Sequence, residues 1–492
     1  MRHPESWKRL SRAPTEELKR LSDSSLARFV REELYPFSAH YRRLFDEAGL
    51  DPRRVKGVAD LAQLPFTTKA DLLAAQSTPE TKLDFVLRPD PATIRAHWPL
   101  GRKLALVLGG SRAREALRFK YTPNFVTFTT GRSSEPVVFA YTPHDLDVLG
   151  ESAARLFDLC EVAGPGERVI NIMPFAPHLA FWATTLGGFT TGSMVVPTGG
   201  GKVMGTIGNL RLIERMKGTA LVGTPGFVYH LLRTGREKGT DLSHVRTVVL
   251  GAEKVPPGLK RKMLECLRAC GAGEVNLMGT YGFTEARMAF GECPTAVDES
   301  SGYHVYPDLG VFEVVDPETG LAVPDGTDGE LVYTGSSGHG TVVCRYRTGD
   351  LVVGGQTWEP CPHCGRTLPR ISSELRRVSE RHALSLTKIK GTLVDLSHIG
   401  TILSEMDGVE EWQVILSKRN DDPHEIDQLE VLIAVSEDAQ VEDLKQAIWT
   451  ELQQATEVAP NAVTVRPLAE MLEVLGMETQ LKEQRYLDRR PK

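Results

Sequence analysis

Five short apolar runs punctuate the first half of this chain: VVFAY (137–141), RVINIM (168–173), MVVP (194–197), TALVGT (219–224) and TVVLGA (247–252). Stretches of helical spacing, 145–160, 208–217 and 258–270, lie between them. Short runs rich in β-branched residues read as buried strands. Strands that alternate with helices join through right-handed crossovers, which produce a largely parallel sheet covered by helices. That alternation assigns residues 99–300 to an α/β body and excludes an all-helical or all-β chain.

The flanks have different textures. Residues 15–50 place apolar side chains at helical spacing (Leu18, Leu21, Leu26, Phe29, Val30, then Tyr41, Leu44, Phe45), so 1–98 is read as a helical lead-in. From 301 to 377 the runs GVFEVVD, GELVYTG and TVVCRYRT are separated by turns such as PDGTDG, the pattern of an antiparallel β region. Beyond 378, KIKGTLVDL, EEWQVILSKR and LEVLIAVS alternate with helical stretches 399–406 and 440–455. The 492 residues exceed what one core organises. The expected fold is a multi-domain α/β chain: a large N-terminal domain, 1–377, and a small, mobile C-terminal α+β domain, 378–492. The polar stretch RISSELRRVSERHAL is read as the hinge.

Charge and cysteine usage narrow the function classes. A net charge of −6 and a pI near 6.2 point to no nucleic-acid or membrane partner, and Arg376-Arg377 and Arg489-Arg490 are short clusters read as solvated helix faces. No run reaches the ~18 apolar residues of a membrane helix, and the polar N-terminus lacks the pattern of a secretory signal. Seven scattered cysteines form no disulfide framework, which predicts a reduced, cytoplasmic protein.

Three segments carry candidate chemistry. TFTTGRSSEP (127–136) places small hydroxyl residues, a Gly and Arg132 before a strand, where N–H, O–H and guanidinium groups reach phosphate oxygens. LMGTYGFTEAR (277–287) groups Tyr281, which can stack on a purine, with Thr284 for a phosphate and Glu285 for Mg²⁺. CRYRTGDL (344–351) offers Asp350, at a strand end, to a ribose diol and Arg347 to a carboxylate or phosphate. Each alone also reads as an ordinary turn. A fourth segment, Cys361-Pro-His-Cys364, presents two thiolates at metal-knuckle spacing, with His363 either a ligand or a spectator. Cys160, Cys266, Cys270 and Cys344 read as core cysteines.

In this order, with GAEKVPP (251–257) between the first two, the motifs resemble the acyl-adenylate-forming superfamily of acyl-CoA synthetases, luciferases and nonribosomal adenylation domains. The segment YPFSAHYRRLFDEAGLDPRRVKGVADLAQLPFTTKADL (35–72), together with YGFTEAR, RYRTGDL, CPHCGRTLPRI and KIKG, is similar to the phenylacetate–CoA ligase branch. The resemblance implies that Thr129, Thr130, Gly131, Arg132 and Ser133 surround the ATP phosphates. It implies that Gly251, Ala252, Glu253, Tyr281 and Gly282 line the adenine, that Asp350 and Arg347 serve the ribose side, and that Thr284 and Glu285 serve the α-phosphate and Mg²⁺. QLKEQRYLDRR (480–490) is similar to the family's late G-K-x-x-R segment and makes Lys482 the catalytic lysine. The acyl pocket would draw on Phe175, His178, Phe181 and Gly279, an aromatic lining suited to an aryl or arylacetic acid. Trp182 reads as helix core.

The same resemblance completes a Cys3His zinc site from Cys293, His304, Cys361 and Cys364, whose four ligands leave no open position and so make the ion structural. Two stretches depart from the family pattern. Ser133-Ser134-Glu135-Pro136 stands where a second Gly and a Lys are usual, and Ser379-Glu380-Arg381-His382-Ala383 stands at the hinge where an Asp is usual. The expected activity is ATP-dependent conversion of a carboxylic acid to an acyl-adenylate and transfer to coenzyme A, releasing AMP and pyrophosphate. Transfer to an amine, hydroxyl or carrier protein is the alternative, and a non-catalytic nucleotide or acyl-CoA sensor is a third reading. The branch also implies a homodimer.

Overall fold

A computed structural model describes residues 4–129, 136–377, 386–389, 392–421, 425–477, 479 and 483–490. They fall into two compact units, each assembled from separate stretches of chain. The first is Met1–Val169, Phe175–Val196 and Met278–Arg376, and the second is Ile170–Pro174, Pro197–Leu277 and Arg377–Lys492.

In the first unit the lead-in forms helices Pro4–Leu10, Thr15–Phe29 and Ala39–Glu47. Their apolar stripes bury Trp7, Leu26, Phe29, Tyr41 and Phe45 in one large core shared with Phe290, Tyr306 and Tyr333. Helices continue beyond 98, as Leu100–Leu108 and Gly110–Tyr121, so the strand–helix body starts later than expected. An antiparallel sheet follows in the order Gly310–Val315, Gly329–Gly335, Tyr346–Val352 and Leu375–Arg377. Its first two strands are buried along their whole length rather than on alternate residues. Two acids, Glu313 and Glu330, therefore sit inside, and each is paired: Glu313 with Arg345 at 3.3 Å, Glu330 with Arg347. Burial raises the Glu313 carboxyl even against the opposing Arg345 charge.

The second unit pairs Ala220–Gly223 with Thr247–Leu250 in parallel and supplies helices Gly201–Met216, Pro225–Lys238 and Pro257–Ala269. Its C-terminal part is an α+β sandwich. Val409–Lys418 and Asp427–Val435 pair antiparallel, and each gains an outer parallel partner, Tyr486–Asp488 and Ala462–Val465 respectively. Leu396–Glu405 and Val441–Thr456 cover it, burying Ile399, Leu403, Ile448 and Leu452 against Val414, Val431 and Ile433.

Three sequence expectations are corrected. VVFAY is not in the parallel sheet: Val138–Tyr141 pairs antiparallel with Phe125–Phe128 in a separate two-stranded ladder. MVVP is an edge strand with Met194 51% exposed, not a buried one. A four-residue apolar run satisfies either setting, so composition did not separate them. TVVCRYRT is only half strand, because pairing begins at Tyr346, and Asp350 lies within Tyr346–Val352 rather than at its end.

Candidate active site and metal centre

YGFTEAR folds as a hairpin. Strand Asn276–Phe283 turns through 284–287 into Met288–Gly291, with Thr280 opposite Gly291 and Phe283 opposite Met288. The turn is interlocked with the RYRTGD strand by two tyrosine–carboxylate hydrogen bonds that run in opposite directions. Tyr281 Oη donates to Asp350 Oδ2 at 2.7 Å, and Tyr346 Oη donates to Glu285 Oε1 at 2.7 Å. Both carboxylates are buried. Groups 60 to 70 residues apart in sequence thus form one polar cluster, as the motif reading requires. Of the two partners expected for Arg347 the structure supplies the carboxylate: it donates to Glu330 and to the Pro317 carbonyl, bracing the sheet.

Sequence reasoning missed the group that fixes this cluster in place. The T-P-H-D start of helix Pro143–Leu159 is a capping box, in which Thr142 and Asp145 satisfy each other's backbone amides. Asp145 also accepts from the amides of His339 (2.9 Å) and Gly340 (2.7 Å) and from Arg287 Nη1 at 2.6 Å. Arg287 directly follows the TEA turn, so one buried carboxylate ties a helix start, the loop after Gly329–Gly335 and the active-site hairpin together. Burial by itself would raise the Asp145 carboxyl, but the Arg287 charge and the donated amides outweigh it and hold it below the usual range. Arg287→Met strands that carboxylate without its cation. Urea unfolding is expected to show a loss of about 3 kcal/mol, the low end for a broken buried pair because the amides remain.

The phosphate segment is described at its edges only. Thr129 extends the hairpin ladder, its amide donating to the Val137 carbonyl and its hydroxyl accepting from the Val137 amide at 2.9 Å. Thr130, Gly131, Arg132, Ser133, Ser134 and Glu135 lie outside the described residues, as do the hinge residues 379–383 and Lys482.

Among the acyl-pocket candidates, Phe175, Phe181 and Trp182 form an aromatic cluster with Phe125. Phe175 is 58% exposed while Phe181 is buried. Trp182 is only partly buried, contrary to a core reading. His178 is the N-cap position of helix Leu179–Thr191, without a side-chain cap. Gly279 donates its amide to Glu292 Oε2 at 2.6 Å, and a Cβ there would meet that oxygen at 3.1 Å.

In the second unit Gly251, Ala252 and Glu253 follow the buried strand Thr247–Leu250, and Ala252 holds φ +74°, a left-handed conformation that costs a non-glycine residue energy and is concentrated at functional sites. Glu253 shares a cavity lining with Gly199, Thr224, Phe227, Met477 and Glu483. Glu483, the sequence neighbour of Lys482, pairs with Arg485 at 2.6 Å, and Arg485 also donates to Glu411 at 3.0 Å. Burial pushes the Glu483 carboxyl up despite that guanidinium. Arg485 occupies the Arg position of the K-x-x-R segment, and its pairing with Glu483 is supplied by the fold.

The metal candidates converge. Ligand atoms of Cys293, His304, Cys361 and Cys364 all lie within 4.8 Å of one another. Cys293 Sγ is 3.8 Å from Cys361 Sγ, and Cys364 Sγ is 3.5 Å from His304 Nε2. A tetrahedron with Zn–S of about 2.3 Å and Zn–N of about 2.0–2.1 Å has edges of about 3.8 Å and 3.5–3.6 Å, so the donor set fits zinc. His304 Nδ1 lies 3.2 Å from the Gly291 carbonyl, the outer contact that leaves Nε2 for a metal. His363 is a spectator, 3.8 Å from Glu299 and outside the cluster. Cys160, Cys266, Cys270 and Cys344 are buried away from it, and burial pushes the Cys266 thiol up to about 11.

With fold and site in view, known proteins place the chain. Residues 149–340 match the AMP-binding enzyme family. The fold is shared with 2-hydroxyisobutyryl-CoA ligase: a crystal structure of that protein in the postadenylation state aligns with a TM-score of 0.74, at 20% identity, over 98% of this chain and 92% of the other. More particularly, the chain is similar to phenylacetate–coenzyme A ligases. It is 29% identical to that of Thermus thermophilus over 87% of this chain and 84% of the relative. It is 25% identical to that of Aromatoleum evansii over 98% and 97%.

Proposed function

We propose that the protein is an AMP-forming acid–coenzyme A ligase, which activates a carboxylic acid of aryl or arylacetic type with ATP and passes the acyl group to CoA. The reciprocal pairing of Tyr281 with Asp350 and of Tyr346 with Glu285 carries this reading. It assembles, from separate motifs, an aromatic plate, a carboxylate suited to a ribose diol and a carboxylate suited to Mg²⁺. In this reading Thr129–Ser133 and Thr284 hold phosphates, and Glu285 holds Mg²⁺, which would neutralise the pyrophosphate leaving group. In the same reading Gly251, Ala252, Glu253, Tyr281, Gly282 and Asp350 serve the nucleoside. Phe175, His178, Phe181 and Gly279 contact the acid, and Lys482 stabilises the charge that develops on the α-phosphate.

Residues 1–377 would form the adenylating domain and 378–492 the mobile one, in a cytoplasmic enzyme that acts as a homodimer. Cys293, His304, Cys361 and Cys364 would hold one structural zinc. Among the described residues no helix is long and apolar enough to cross a membrane.

Exchange of labelled pyrophosphate into ATP across a panel of acids tests the first half-reaction, and acyl-CoA formation tests the second. Asp350→Ala is expected to raise the KM for ATP about ten- to hundred-fold with a smaller change in kcat, since it removes ground-state ribose contacts. Absence of exchange with every acid overturns the proposal, and acyl transfer to an amine or carrier protein in place of CoA overturns its second half.

A further inference from the structure

The helical hairpin 100–121 is built inside out. Helix Leu100–Leu108 turns one of its two charged residues inward: Arg102 donates to Glu32 at 3.2 Å and Glu33 at 3.1 Å and lies 4.1 Å over the Trp98 ring. Leu106, with Leu117 of the next helix, packs on the core. The outward face is apolar, with Leu100 82%, Leu104 58%, Val107 74% and Leu108 77% exposed. At 100° per residue these four side chains occupy one arc of about 100°, a continuous stripe. Phe119, on the second helix, is 65% exposed. Around them the segment 99–122 carries six basic residues (Arg102, Lys103, Arg112, Arg114, Arg118, Lys120) and one acid (Glu115), a net of +5 within a chain of net −6. Arg112, Arg114 and Arg118 are exposed.

We propose that this hairpin docks the enzyme on an anionic lipid surface, with the leucine stripe in the headgroup–acyl boundary and the arginines on lipid phosphates. An exposed apolar stripe flanked by arginines is the signature of a helix that lies in a membrane interface, where burial of apolar area and attraction to anionic headgroups add. A second copy of the chain fits less well. A nine-residue helix about 14 Å long and roughly 10 Å wide presents on the order of 140 Å², well short of the ~800 Å² per partner that a stable dimer buries, and the exposed arginines of two such hairpins repel. The whole-chain charge concealed this partner, because the acids that make the sum negative lie elsewhere.

Co-sedimentation of the full chain with vesicles tests it, and needs no substrate, so its failure leaves the ligase reading intact. The protein is expected to pellet with phosphatidylcholine vesicles containing roughly a third phosphatidylglycerol and not with phosphatidylcholine alone, and raised salt should release it. Leu104→Glu with Leu108→Glu should lower the partition coefficient at least about ten-fold, and so should Arg112→Glu with Arg114→Glu and Arg118→Glu. All five side chains are exposed, so the variants should keep the wild-type melting temperature. Failure to pellet with anionic vesicles, or undiminished pelleting of the leucine variant, overturns the proposal. So does a wild-type dimer in sedimentation equilibrium that the leucine variant dissociates, which would assign the stripe to a second copy.

Discussion

Lys482→Ala should lower acid-dependent pyrophosphate exchange by about two to three orders of magnitude while shifting the KM for ATP only a few-fold. Attack of the carboxylate on the α-phosphorus adds negative charge to oxygens that are already charged, and a placed ammonium stabilises that increment more than the ground state. The loss therefore belongs in kcat. Lys482→Arg keeps the charge but changes a compact point donor into a planar fork, so partial activity is expected. The second unit supports the assignment through the residues that follow. Glu483 is anchored to Arg485 and lines a cavity with Glu253, and Tyr486–Asp488 is a strand beside Val409–Lys418. A Lys482→Ala variant with wild-type exchange would remove this lysine from the mechanism.

Elemental analysis should find about one zinc per chain, and Cys361→Ser should lose it together with about 4–5 kcal/mol of stability. The size of that loss follows from what the knuckle holds. Arg366, two residues beyond Cys364, donates to Asp158 at 2.8 Å, and the same Asp158 oxygen accepts from the indole of Trp7 at 2.8 Å. Arg12 donates to the Cys364 and Gly365 carbonyls, and the Thr367 amide donates to the Ser11 carbonyl at 3.0 Å. The N-terminal helices thus fasten to the metal loop. Chelation of wild type should lower the melting temperature and speed proteolysis of residues 4–13, with Cys266→Ser, a cysteine on helix Pro257–Ala269 outside the cluster, as control for thiol loss. Zinc-free protein of unchanged stability would show that the four side chains pack without an ion.

The local chemistry was legible in the sequence because adenylation motifs are contiguous: YGFTEAR and RYRTGDL are short words whose backbone shapes depend on neighbouring residues. The α/β character of the body was legible for the same reason, since hydrophobic period reports element type. The four candidate metal ligands could be named from spacing and resemblance, but their convergence within 4.8 Å is a tertiary fact. What remained hidden depends on partners distant in sequence. Asp145 merely opens the helical stretch 145–160 in the sequence, and only the fold brings it Arg287 and the amides of His339 and Gly340. Arg347 reads as a partner for a carboxylate or a phosphate, and only the register of the sheet selects Glu330. Strand VVFAY reads as core, yet pairing with Phe125–Phe128 takes it out of the parallel sheet.

The sequence by itself determined which chemical groups this protein possesses and in what order, because covalent order and local period need no tertiary contact. The tertiary structure decided which of those groups are spent on holding the fold, which face a site, and that Leu100, Leu104 and Leu108 face outward while Leu106 packs inward. Burial and pairing are properties of the whole chain.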